Sequence, residues 1–381
     1  MSGLSASLAS LMRQRRNWYA SLPSAANAAV PGDASAVAIP LAETLDFGSN
    51  PGRLRMLSYV PDGLPADAPL VVVLHGCTQD AAGYNHGSGW SRLADEAGFA
   101  LVFPEQQRAN NPNTCFNWFR RGDIARGQGE PLSIQQMIKR MLRNHRLDAG
   151  KVFVTGLSAG GAMTSVMLAT YPELFAAGAI IGGLPYGVAG NVQEAFASMN
   201  GASSHEAEAW GDRVRAASPY KGPRAKVSVW HGIDDPTVRI GNAHELVKQW
   251  TNVHGIGEVE PKRVLGPGHE RLTWSGPNGG VVELVTIAGM GHGVPVDPSQ
   301  EGGGETGPYF LDAGLASTRH IAAFWGLIPP GQVDKPRPVA PPRRMTMPLA
   351  PDMAQPDPGL QRPGDVNTVI VKALKAAGLL R

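Results

Sequence analysis

Six short runs in this chain are apolar almost from end to end: PLVVVLHG (69–76), FALVFPE (99–105), KVFVTG (151–156), AAGAIIGG (176–183), AKVSVWHG (225–232) and VVELVTIAG (281–289). A strand with one wet face alternates polar and apolar residues, whereas a strand covered on both faces does not. These runs therefore predict strands of a sheet buried on both sides. Residues 53–60 read as a further strand ahead of them. Helical segments fall between the runs, at 87–97, 131–145 and 159–170, and one at 320–327 closes the series. In the second, Pro131 suits a first turn, and Ile134, Ile138, Met141 and Leu142 share one face. Strands alternating with helices predict an α/β chain with a mostly parallel sheet and helices on both faces.

The chain is 381 residues long, with 43% apolar and 17% charged residues, which is enough to bury a large core. Its 34 basic and 32 acidic side chains nearly cancel, so nothing electrostatic points to nucleic acid. Cys77 and Cys115 form no CxxC pair, which argues against a zinc module. No run of 18 apolar residues appears, so no membrane-spanning helix is expected. Four regions are expected. Residues 1–40 hold an amphipathic helix at 3–20, with Leu4, Leu8, Leu11 and Met12 on one face, followed by a small-residue linker. Its basic end, Arg13, Arg15 and Arg16, suits either a solvated rim or an anionic surface. Residues 41–327 form the main domain. Residues 328–364 form an extended linker, since positions 329–363 contain 11 prolines. In 365–381, Val366, Val369, Ile370, Ala373, Leu374 and Ala377 make an apolar stripe behind a capping Asp365. That helix is expected to dock on the domain, on a polymer or granule, or on a protein partner.

One strand-to-helix junction carries a serine. Gly156-Leu157-Ser158-Ala159-Gly160 is a G-x-S-x-G pattern after the run 151–156 and before the helix 159–170. A strand turning at once into a helix strains its central residue and needs side-chain-free neighbours. It lifts the Ser158 hydroxyl above the carboxyl edge of the sheet. A serine hydroxyl needs a base, and the base needs an orienting acid. Asp235, in HGIDDPTV, and His292, in GMGHGVP, each follow their own apolar run, in the order Ser, Asp, His that α/β-hydrolases use. Asp234 is the rival acid; Asp235 is preferred for its place ahead of Pro236 and Val238. In the loop LHGCTQ, the Cys77 amide is expected to join the Ala159 amide as an oxyanion hole, and His75 is read as structural.

Taken together these stretches resemble the poly(3-hydroxybutyrate) depolymerase-type esterases, a branch of the α/β-hydrolases. The resemblance runs from about 50 to 327 and rests on LHGCTQD, PEQ…NPNTCFNWF (104–119), GEPLSIQQMI, VFVTGLSAGGAMT, GGLPYG (182–187), HGIDDPTV and GMGHGVP. It implies a secreted serine esterase that needs no metal or organic cofactor and acts on polyester or oligoester substrates. The same resemblance extends to feruloyl and acetylxylan esterases. The first twenty residues lack the apolar stretch of a secretory signal, so a cytoplasmic location is the expected alternative to export.

Both cysteines occupy motif positions. In an oxidising compartment a Cys77–Cys115 disulfide would clamp the oxyanion loop to the aromatic loop; in the cytoplasm two free thiols are expected. Trp118 reads either as an apolar platform for substrate or as core. Leu184 and Tyr186 read either as acyl-pocket lining or as packing. Three functions are carried forward: hydrolysis of a carboxylic ester, acyl transfer to an alcohol through the same three residues, and a binding module that uses the C-terminal helix.

Overall fold

The structure is a computed structural model that describes residues 39–334 except residue 278. The expected helix at 3–20, most of the proline-rich stretch and the helix at 365–381 lie outside the described residues. Ten strands form one sheet in the order β1-β2-β4-β3-β5-β6-β7-β10-β9-β8. Its centre is six parallel strands: β4 (Ala100–Glu105), β3 (Leu70–Leu74), β5 (Val152–Leu157), β6 (Ala177–Ile181), β7 (Lys226–Gly232) and β10 (Gly279–Ile287). These are the six apolar runs. The antiparallel strands β2 (Arg55–Tyr59) and β1 (Ala42–Thr44) flank one side, and the hairpin of β8 (Lys262–Gly266) and β9 (His269–Gly276) the other.

Strand alternation splits the core in two. Leu70, Val72 and Leu74 point to one face, against α3 (Gly129–His145), α4 (Ala159–Thr170) and α7 (Gly241–His254). Val71 and Val73 point to the other, against α1 (Ala81–Ser88), α2 (Trp90–Ala97) and α8 (Ser317–Trp325). The chain has the α/β-hydrolase fold.

Two expectations shift. The single helix over 87–97 is two helices, because Gly89 at φ 74° breaks the run and Asp80 caps an earlier helix through the Gly83 amide. The packed region also continues past 327. The buried Arg319 guanidinium donates to the carbonyls of Gln332 and Val333 and pairs with Glu96, which holds residues 328–334 on the domain.

Candidate active site

Parallel strands in register deliver their loops to one edge. Leu74 pairs with Gly156, Leu157 with Ile181, Ile181 with Trp230, and Gly232 with Ile287. The residues that follow, His75 to Cys77, Ser158, Gly182, Asp235 and His292, therefore gather at the carboxyl edge.

Ser158 sits at φ 58°, ψ −116°, in a conformation that L-residues avoid. The sequence around it is dictated by backbone contact. A Cβ on Gly160 would stand 2.2 Å from the Leu74 carbonyl oxygen, and one on Gly156 would stand 2.5 Å from the Gly160 carbonyl carbon. The Ser158 amide is tied to the Ile181 carbonyl at 2.8 Å. Its hydroxyl makes no capping bond to α4, the helix it begins, so the oxygen is left for other work.

Asp235 and His292 meet through the Nδ1 of the imidazole and Oδ2 of the carboxylate, 2.6 Å apart. The other oxygen, Oδ1, accepts the amides of Thr237 and Val238, both at 2.8 Å. Burial pushes the Asp235 carboxyl up, but the His292 hydrogen bond and charge, the Val238 amide and His231 together hold it below the usual range. It is a fixed anion at neutral pH. Glycine again makes room: a Cβ on Gly182 would stand 3.3 Å from His292 Cε1, and one on Gly232 would stand 2.3 Å from the Met290 carbonyl oxygen. The Ile233 and Asp234 amides bond to the carbonyls of Ile287 and Met290, locking the aspartate loop to the histidine loop. The rival acid, Asp234, makes no bond to His292.

Ser158 and His292 both line a cavity of about 610 Å³. The Ser158 hydroxyl and His292 are not hydrogen-bonded to each other in this structure; such contacts commonly close only around substrate. Cys77 and Ala159 line the same cavity, and among the described residues neither amide donates to a protein carbonyl. His75 is spoken for on both nitrogens: Nδ1 faces the Gly76 carbonyl at 2.7 Å and Nε2 accepts the Gln106 amide at 3.0 Å. Burial lowers its pKa, and it remains a neutral strut.

Cys77 and Cys115 are joined in a disulfide. A Thr78 amide to Asn113 carbonyl bond of 2.7 Å runs beside it. The 110–120 loop is thereby fastened to the loop carrying Cys77. From below, Glu130 fixes the same loop. Its oxygens accept the Asn117 amide at 2.9 Å, the Asn117 side chain at 2.7 Å and Gln106 at 2.6 Å.

Trp118 and Leu184 line the cavity and belong to a small apolar cluster beside it. Tyr186 does not line it. Its amide and hydroxyl bond to Gln249 Oε1 and the Ile124 carbonyl, which turns the ring onto the main core. The sequence reading missed one whole wall. It comes from α5 (Val192–Met199), which contributes Val192, Ala195, Phe196 and Met199. Asn191 capping the Glu194 amide was the legible signal for that helix. Tyr309 was missed too; its ring lies edge-on to His292 at 6.4 Å.

No group of His, Cys, Asp and Glu among the described residues is arranged to hold a metal ion. No described helix is long and apolar enough to cross a membrane.

The family model described as "Esterase PHB depolymerase" matches residues 54–273. Poly(3-hydroxyalkanoate) depolymerase C of Paucimonas lemoignei is 48% identical over 292 residues, covering 76% of this chain and 70% of that protein. Acetylxylan esterase A of Aspergillus oryzae is 33% identical over 272 residues, covering 68% of this chain and 86% of that protein. Among solved structures, an acetyl xylan esterase from Aspergillus awamori superposes with a TM-score of 0.62 at 30% identity, covering 66% of this chain and 94% of that one. Fold, site geometry and kinship converge: this chain belongs to the PHB depolymerase esterase family and is a carboxylic-ester hydrolase.

Proposed function

We propose that the protein cleaves the ester bonds of hydroxyalkanoate polyesters and oligoesters, with Ser158 as nucleophile, His292 as general base and Asp235 as its orienting acid. The observation that carries the chemistry is the Asp235–His292 bond at 2.6 Å, opening on the same cavity as Ser158. With Nδ1–H donated to the carboxylate, Nε2 is left as the basic nitrogen.

His292 takes the proton from Ser158 as its oxygen adds to the ester carbonyl. The carbonyl oxygen gains the negative charge and is met by the amides of Cys77 and Ala159, a contribution of roughly 3 kcal/mol per donor. Collapse expels the alcohol, which leaves with the proton from His292. Water then adds to the acyl-serine by the same route and frees the acid. Trp118 and Leu184 supply the apolar wall for the acyl chain. The disulfide supports work in an oxidising compartment, because it holds the oxyanion loop in place.

The 48% identical depolymerase favours the polyester; the acetylxylan esterase relatives favour acetylated sugar as the second reading. Rates on hydroxybutyrate oligomers, amorphous polymer and acetylated xylan decide between them. Ser158→Ala is expected to lose at least about 10⁵-fold in kcat and all labelling by a fluorophosphonate; full turnover by this variant would refute the scheme. Added glycerol is expected to leave the free acid as the main product; a glyceryl ester in its place would move the protein to acyl transfer. The 365–381 segment is proposed to contact polymer. Removing 338–381 is expected to lower adsorption to polymer particles while sparing turnover of a soluble ester, and equal adsorption would remove that role.

A further inference from the structure

We propose that Arg120 makes one wall of the active-site cavity a carboxylate-binding subsite, so that the enzyme favours esters bearing a free acid end, as short hydroxyacid oligomers do. The inference deepens the polyester reading and rests on it for the natural substrate. Among the described residues lining the cavity, Arg120 is the one Lys, Arg, Asp or Glu; the rest are apolar or neutral apart from His292. Among the described residues its guanidinium makes no ion pair or hydrogen bond. Asp123 is the acid that feels its charge, but that carboxyl is itself half-buried and accepts the Glu130 amide at 3.3 Å.

Arg120 is exposed, and its backbone is held in place. Its amide bonds to the Asn117 carbonyl at 2.9 Å, and Asn117 is fixed by the buried Glu130. The same loop carries Trp118 and Cys115, and through the disulfide it is joined to the proposed oxyanion amide. The backbone that carries this guanidinium is therefore anchored to the frame proposed to position the reacting carbonyl.

A planar guanidinium grips a carboxylate through paired hydrogen bonds, and at this exposed residue solvent and salt screen the attraction. A neutral polymer segment or an acetylated sugar can accept a hydrogen bond from it but gains no charge pairing. Each hydrolysis adds one water across one ester, leaving a carboxylic acid on one fragment and a hydroxyl on the other. Chain shortening thus multiplies the acid ends that Arg120 would bind.

The test uses the full chain and mono-p-nitrophenyl succinate, glutarate and adipate, each beside its neutral methyl ester. The wild type is expected to prefer at least one free acid over its methyl ester in kcat/KM. In Arg120→Gln that ratio is expected to fall about 10-fold, mainly through KM. Arg120→Lys should keep part of it, and added salt should erode it in the wild type. An unchanged ratio in Arg120→Gln, including an equal loss on both esters, overturns the proposal, as does a wild type without preference. If the preference stands while hydroxybutyrate oligomers resist cleavage, the polyester reading fails and the subsite survives.

Discussion

The site is assembled from two regions held by opposite means. Around the serine turn, backbone meets backbone at Gly156, Gly160 and Gly232, and at Gly182 backbone meets the His292 ring; each glycine leaves space that a Cβ would fill. In the 104–130 region, the loop carrying Trp118 and Arg120 is held by side chains: the buried Glu130, Gln106 and Asn117, and a disulfide. Steric fit is rigid and offers no adjustable group. A buried carboxylate network is also firm, but its strength depends on protonation. The proposed nucleophile and its partners stand on the first kind of support, and the proposed substrate-binding wall on the second.

The largest expected effect tests whether the rigid region is organised around one proton path. Asp235→Asn keeps the size of the side chain but offers an amide where the carboxylate accepted the His292 proton, turning the imidazole to the wrong tautomer. A loss of about 10⁴-fold in kcat is expected, with the melting temperature much less affected. A loss below tenfold, measured on a soluble ester, would detach Asp235 from the chemistry.

Next comes the steric fit itself. Gly160→Ala puts a methyl 2.2 Å from the Leu74 oxygen and 2.6 Å from the His75 oxygen, both backbone atoms of a central strand and its loop. Neither can yield cheaply, so a loss of more than ~4 kcal/mol is expected by chemical denaturation. Gly63 is the control: it has positive φ but nothing within 4 Å. Gly63→Ala should cost only about 1–2 kcal/mol for the left-handed backbone. Equal costs at the two positions would mean that the backbone contact at Gly160, whose φ is not positive, is relieved cheaply.

The two regions also differ in how far they could be read from residue order. Steric demands are written in residue identity, so G-x-S-x-G between an apolar run and a helix announces its turn. Asp235 and His292 were legible because each lies just past an apolar run, and parallel strands bring such positions to one edge. Glu130 was opaque. A glutamate in the first turn of a helix reads as a solvated residue favoured by the helix dipole; only the fold places it beneath Asn117 and Gln106. The α5 wall was missed because eight residues make too short a period to stand out beside the longer helices. Tyr186 fits pocket lining by position, yet its two hydrogen bonds turn it the other way. The hairpin of β8 and β9 stays dark in sequence because its residues are half-exposed or exposed and lack the apolar runs of the central strands.

The smallest effect separates the two kinds of support most sharply, because it depends on pH. Burial, and then repulsion from Asp123, push the Glu130 carboxyl up to about 8 against an ordinary value of 4.5, despite the three N–H donors it accepts. The folded protein therefore holds a proton that the unfolded chain has released. With more protons on the native state, stability falls as pH rises between those two values. The contribution is whole below about 4.5 and gone above about 8. Glu130→Gln removes the titration and presents an amide among donors, at a cost of about 1–3 kcal/mol at low pH. Its unfolding free energy should be flatter than the wild type's from pH 5 to pH 8, so the two curves converge as pH rises. The variant should also raise KM more than it lowers kcat, since the Trp118 loop loosens while the Asp235–His292 pair stays in place. Parallel stability curves across that range would show that Glu130 does not titrate there, and the 104–130 region would then be as insensitive to pH as the serine turn.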